Sequence, residues 1–176
     1  LTKPLGTGTL FAADMRAQAQ GVWVKKALQS MLQLNQAAAL CLIDFGAKAC
    51  TDVTGFGLIG HLYEMLEASG VSAEVCLDQL PLLEGAAASI QAGIVSTLHV
   101  QNEKISRTIS NYEAISSNKD LAILFDPQTA GGLIAGVAGD KAEACVKALL
   151  ALGYDQTCVI GEIGPSINAQ NSIILK

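Results

Sequence analysis

The run Ala49-Cys50-Thr51-Asp52-Val53-Thr54-Gly55-Phe56-Gly57-Leu58-Ile59-Gly60-His61 gathers groups that handle anions and metal ions. One carboxylate, Asp52, stands between the hydroxyls of Thr51 and Thr54, glycines follow at positions 55, 57 and 60, and an apolar helical pattern begins at once. Magnesium takes oxygen ligands and needs only one or two protein carboxylates when waters and phosphate oxygens fill the rest of its octahedron. Asp52 is suited to be one such ligand, the threonines to donate hydroxyl hydrogen bonds, and the glycines to keep the turn open. Aspartate is equally favoured as the cap of a following helix, so on these residues alone metal ligand and helix cap both stand.

Gly55, Gly57 and Gly60 also spell G-x-G-x-x-G, the spacing that brings a pyrophosphate against backbone in dinucleotide-binding folds. Context argues against that reading. The preceding segment carries Cys50, Thr51 and Asp52 rather than a hydrophobic strand, and a carboxylate before the turn repels a pyrophosphate unless a cation intervenes. Glu74 and Asp78 fall near the distance at which such folds place a ribose-binding acid, a weak signal. For each of the three glycines the structural reading, shaping the turn and its packing, is the stronger one. His61 falls inside the predicted helix and reads as a packing or capping histidine rather than a base. The five cysteines, at 41, 50, 76, 145 and 158, are widely spaced and suit neither a disulfide framework nor a zinc site. Cys50 alone lies beside the candidate site, and Lys48 would share its face on a strand, too little to argue a thiolate.

Around this block, apolar segments and breakers alternate. Residues 15–34 predict one helix with Val24, Leu28, Met31 and Leu34 on a core-seeking face. Residues 36–45 predict a second helix ended by Gly46, residues 47–53 a strand, residues 56–68 a third helix stopped by Ser69-Gly70, and residues 71–77 another strand. A short helix is predicted over 81–92. The polar stretch 93–120 lacks periodicity and predicts a long, mobile surface excursion. Compact apolar runs follow at 121–125 and 132–137, then a helix capped by Asp140 and ended by Gly153, then strands within 158–163 and 173–175. This interleaving without βαβ regularity predicts an α+β fold, a mixed and largely antiparallel sheet with helices packed on one face.

A chain of 176 residues with 51% hydrophobic content and a mean hydropathy of +0.39 can bury a substantial core as one domain, residues 1–176. No uninterrupted apolar run reaches the roughly 18 residues that cross a bilayer, and residues 1–4 do not read as a signal peptide, so a cytoplasmic protein without a membrane partner is expected. Eleven basic against sixteen acidic side chains give a net charge of −5, with no cationic run longer than Lys25-Lys26. Nucleic-acid binding needs clustered cations, so no nucleic-acid partner is expected.

Three ordered motifs carry a family resemblance: Leu1-Thr2-Lys3-Pro4-Leu5-Gly6-Thr7-Gly8, the block from Cys50 to His61, and Phe125-Asp126-Pro127-Gln128-Thr129-Ala130-Gly131-Gly132-Leu133. Together they resemble selenophosphate synthetase (selenide, water dikinase), a relative of aminoimidazole ribonucleotide synthetase, and the likeness runs from residue 1 to about 165. It corresponds to the C-terminal half of that enzyme and implies the C-terminal-domain fold of that superfamily. The implied reaction takes selenide, ATP and water to selenophosphate, AMP and phosphate, with magnesium holding the polyphosphate.

In the family that the chain resembles, the aspartate at the place of Asp52 is a magnesium ligand, joined by aspartates of the N-terminal half. Asp52 is therefore the one metal-binding residue assigned, and no catalytic residue is assigned within the 176 residues. The family's reactive cysteine or selenocysteine, its lysine and its glycine-rich segment lie upstream of the motif that residues 1–3 match. ATP and selenide are thus expected to engage through an N-terminal ATP-binding and nucleophile domain that this sequence lacks, in a homodimer. A chain beginning at Leu1 reads as an excised domain, inactive alone. Ala130 departs from the family's serine and removes one hydroxyl. Lys3 could face a phosphate or stand in solvent. Asp126, Gln128 and Thr129 read as turn makers, with Pro127 fixing the backbone, while any further role of Lys3, Gln128 and Thr129 is not fixed by the sequence. Alternatives are another ATP-dependent member of the superfamily, a purine-pathway ligase or thiamine monophosphate kinase, or a noncatalytic assembly domain.

Overall fold

A computed structural model describes residues 1–166 and 172–176. In chain order the elements are α1 (Thr7–Met15), α2 (Gly21–Leu32), α3 (Gln36–Asp44), β1 (Ala49–Asp52), α4 (Gly57–Ser69), β2 (Val71–Val75), α5 (Ala86–Gln91), α6 (His99–Asn102), α7 (Tyr112–Ile115), β3 (Leu133–Gly136), α8 (Gly139–Ala151), β4 (Gly161–Pro165) and β5 (Ile173–Leu175). Short 3-10 helices cover Leu77–Gln79, Glu103–Thr108 and Lys119–Phe125. Among the described residues no helix is long and apolar enough to cross a membrane.

The strands form two sheets. β1 pairs antiparallel with β3, Asp52 opposite Leu133. β2 lies between β4, antiparallel, and β5, parallel. The predicted α+β class with mixed, mainly antiparallel pairing therefore holds, and its strands are divided between two small sheets. Each has its own apolar cluster. Ala38, Cys41 and Leu42 of α3 meet Leu133, Cys145, Leu149 and Tyr154 beside the first sheet, while a larger core centred on Leu58, Ile59, Leu66, Val75, Leu124, Phe125 and Ile173 unites α4 with the second.

Two expectations about the elements are corrected. Residues 15–34 are not one helix: Arg16 ends α1, Ala17 takes a left-handed φ of 54°, and α2 begins only at Gly21. The predicted face is not the buried one either, since Leu28 is 44% and Leu34 75% exposed. The helix instead packs through Trp23 and Ala27, one turn apart, with Trp23 lying against Gly85 so closely that a β-carbon there would sit 2.1 Å from the indole. Residues 93–120 are not an open excursion. Ile94, His99, Asn102, Thr108 and Ile109 are buried, and Ile109 bridges in parallel to Ile173. Each turn there is four to six residues long and buries at most two side chains, which leaves no repeat for a periodicity to register.

The remaining boundaries fall within a few residues of their sequence positions. Gly70 closes α4 in the left-handed conformation. Asp140 sits in the first turn of α8 without bonding a backbone N–H, the N-cap being Ala138. The apolar run 121–125 lies within the last 3-10 helix, with Leu121, Ile123, Leu124 and Phe125 all buried.

Candidate functional site

The three motifs form one structural unit. The Thr2 amide donates to the Leu133 carbonyl at 3.0 Å, and the Leu133 amide donates to Thr2 Oγ1 at 2.7 Å, fixing the first segment on β3. From the third motif, the Gln128 amide donates to the Thr54 carbonyl at 2.9 Å, and the Val53 amide donates to the Gly132 carbonyl at 2.8 Å. Residues 126–133 thus lie between the other two segments and hydrogen-bond to both.

Asp52 ends β1 with its side chain on the exposed face of the strand, which alternates between half-buried and exposed positions. Helix α4 begins five residues later with Phe56 as N-cap and no side-chain cap, so the helix-cap reading of Asp52 does not hold. Among the described residues nothing hydrogen-bonds or pairs with the Asp52 carboxylate. An exposed, unpartnered carboxylate is the donor type that suits magnesium, which fills its remaining positions with water and phosphate. No cluster of three or more acidic, histidine or cysteine side chains suited to a metal occurs among the described residues.

The hydroxyls beside it are placed differently from expectation. Thr51 faces the opposite side of the strand, half-buried, and its hydroxyl donates to the Asp52 carbonyl at 3.4 Å. Thr54 Oγ1 is hydrogen-bonded to His61 Nε2 at 3.0 Å, and the His61 ring lies 5.5 Å from Phe56 with Nδ1 3.5 Å from Glu64. His61 is buried and ties the turn to its own helix, the packing role expected of it. Cys50 shares the exposed face with Asp52, but burial and the Asp52 charge push its thiol up, so the neighbourhood opposes a thiolate.

Two of the glycines have structural reasons. Gly57 takes a φ of 71°, and a β-carbon there would meet the Leu124 carbonyl oxygen at 2.9 Å. At Gly60 it would meet Phe56 Cβ at 2.6 Å, so this glycine makes room for Phe56, a residue that stays 56% exposed. Gly55 differs, with nothing within 4 Å of an added β-carbon.

Behind this surface, Asp126 and Gln128 buckle the third motif to the start of α1. Gln128 Oε1 accepts from the amides of Gly6 and Thr7 at 3.0 and 3.2 Å and from the Thr7 hydroxyl at 3.1 Å. Asp126 accepts from the Gly8 amide at 3.1 Å, the Thr9 hydroxyl at 2.8 Å and Gln128 Nε2 at 2.9 Å. These side chains satisfy the first amides of a helix more than 100 residues away in sequence. Asp126 is 1% exposed, and burial pushes its carboxyl up to about 6. The turn-making expectation therefore understated both residues. Thr129 is exposed, its amide donating to Thr7 Oγ1 at 2.9 Å.

Lys3 does not stand in solvent. It is 2% exposed and donates to the carbonyls of Gln33 and, at 3.1 Å, Ala130. Burial lowers its pKa, with no carboxylate among the described residues to offset the lost hydration. Ala130 holds a left-handed φ of 49°, a conformation costly for a residue with a β-carbon, and carries one of the two carbonyls that receive the lysine.

Sequence reasoning missed one residue of this unit. Asn102 is buried, and its Nδ2 donates to the carbonyls of Gly55 at 2.8 Å and Phe125 at 3.0 Å. Its position in an aperiodic stretch gave no local signal.

Residues 1–169 match the family model of the AIR synthase related protein, C-terminal domain. The chain belongs to this family. Curated relatives include a selenide, water dikinase of Pelobacter propionicus, 37% identical over 93% of this chain and 47% of that protein. Another, of Geobacter metallireducens, is 38% identical over 96% of this chain and 49% of its own length. This domain thus spans about half the length of the curated relatives it matches. Among solved structures, hydrogenase maturation protein HypE superimposes with a TM-score of 0.68 at 14% identity, over 99% of this chain and 47% of that one. Thiamine-monophosphate kinase of Stenotrophomonas maltophilia gives 0.62 at 18% identity, over 98% of this chain and 48% of its own. These last two likenesses concern the fold.

Proposed function

We propose that this domain forms the magnesium-bearing wall of the ATP site in a selenophosphate synthetase, with Asp52 as its metal ligand. The observation that carries the reading is the Asp52 carboxylate itself, exposed at the end of β1, without a partner among the described residues, and five residues before the uncapped start of α4. The relatives named as selenide, water dikinases support this reading, and the reaction that the family resemblance implies takes selenide, ATP and water to selenophosphate, AMP and phosphate. Bound magnesium would offset the charge of the polyphosphate, the main electrostatic demand of phosphoryl transfer. The domain's own residues hold the wall in place. Gly57 and Gly60 set the turn, His61 fixes Thr54, and Asp126 with Gln128 anchors the neighbouring segment. No residue of this domain is assigned to attack or to proton transfer, and the nucleophile is assigned to the half of the enzyme outside this chain. A cytoplasmic homodimer, with ATP and selenide engaged jointly with the N-terminal half, completes the reading and rests on the family likeness.

The test is Asp52→Asn in the full-length protein, which keeps shape and removes charge. Loss of one ligand and its charge is expected to lower magnesium-dependent formation of AMP and selenophosphate by about 100-fold or more. Normal product formation across a magnesium titration would remove Asp52 from the metal site. Parallel assays with aminoimidazole precursors and with thiamine monophosphate separate selenide from the substrates of the wider superfamily.

A further inference from the structure

We propose that Asn102 is a positioning residue for this site, a role that rests on the magnesium reading of Asp52. Both of its amide partners, the Gly55 and Phe125 carbonyls at 2.8 and 3.0 Å, are acceptors, so the nitrogen end must face them and both of its protons are used. The residue is 8% exposed, which places this fork away from competing water. One carbonyl belongs to the open turn after Asp52, and the other directly precedes Asp126. Asn102 therefore ties residues 54–57 to the buried buckle of the third motif at a glycine whose outer side faces open space.

The backbone hydrogen bonds of that junction converge on Thr54. Gly57 donates to the Thr54 carbonyl at 3.1 Å, within the turn, and Gln128 donates to the same carbonyl from outside it. The Gly55 carbonyl has Asn102 as its partner. Removing the fork frees the peptide between the candidate metal ligand and the start of α4, and displacements well under 1 Å matter where a charge must meet a polyphosphate. His99, one turn earlier on α6, braces the fork by placing its ring edge-on to Phe125 at 6.0 Å.

Asn102→Asp is the isosteric test, since it presents a carboxylate to two carbonyls. Asn102→Ser, which keeps one hydroxyl donor, is the milder partner should the first fold poorly. In the full-length protein, amide exchange over residues 53–58 is expected to rise about tenfold or more in Asn102→Asp. The KM for magnesium-ATP should rise about tenfold, with Asn102→Ser intermediate on both measures. Unchanged exchange overturns the clamp. Faster exchange with KM and kcat within twofold of the parent at 25 °C, in a variant that shows only a lowered melting temperature, overturns the positioning role. Asp52→Asn run alongside separates the two claims: if it leaves magnesium dependence normal while Asn102→Asp raises both exchange and KM, the metal assignment falls and the clamp stands.

Discussion

Asp52 and Asp126 are the same residue type in neighbouring motifs, and their surroundings send them to opposite tasks. Asp52 is exposed and unpartnered among the described residues, free to meet a cation, whereas Asp126 is 1% exposed and encircled by donors. Hydrogen bonds from Gly8, Thr9 and Gln128 favour its anion, but the cost of burial outweighs them and carries its carboxyl from 3.8 to about 6. Because the folded carboxyl holds its proton more tightly than the unfolded one, its contribution to stability is full below pH 3.8. That contribution is lost as the pH rises through 6. The shift corresponds to at most about 3 kcal/mol. Asp126→Asn should therefore flatten the pH dependence of the urea midpoint between pH 4 and 7, while the parent gains stability from this group on going down that range. Parallel curves for the two proteins would show that the carboxyl does not titrate in that window.

At the scale of the element, the turn between β1 and α4 gives a controlled comparison of glycines. Gly57→Ala forces a β-carbon into the Leu124 carbonyl at a left-handed φ, and is expected to cost about 2–4 kcal/mol in a thermal or urea melt. Gly55→Ala adds a methyl to open space and should stay within about 0.5 kcal/mol. A Gly57→Ala melt that matches the parent would refute the close packing of this turn against Leu124. The site block was the legible part of the chain because its signals are local: a carboxylate, a glycine spacing and a helical period within thirteen residues. The same local signals placed α3, β1, α4, β2 and α8 within a few residues of their observed bounds. What escaped depends on distant partners. Asn102 has no local pattern, Lys3 gains its burial from Gln33 and Ala130, and Asp126 from α1. The predicted face fails in α2 because Leu28 points outward, while one tryptophan over Gly85 decides which face is buried.

Across the whole molecule, residues 1–8 act as a strap whose bonds reach four remote regions. Leu1 exchanges backbone hydrogen bonds with Cys158, Thr2 pairs with Leu133, Leu5 bonds Pro81 and Leu83, and Gly6 and Thr7 meet Gln128. Thr2 bonds β3 in the first sheet, and Leu5 belongs to the larger core that includes the second, so the strap links the two apolar clusters. Contacts of this sequence separation form late and at high entropic cost, and their loss is felt by the fold as a whole. Leu5 is 1% exposed, and Leu5→Ala in the full-length protein is expected to cost about 2–4 kcal/mol. That cost should appear as an earlier unfolding of both clusters together. Leu34→Ala, at a side chain 75% exposed, provides the control and should move the midpoint by less than about 0.5 kcal/mol. Hydrogen exchange distinguishes the outcomes: a strap that couples the clusters raises exchange in α8 and β2 alike in Leu5→Ala. A rise confined to α1 and α5, the helices next to Leu5, would mean that the two clusters unfold independently and that the strap joins them only in space.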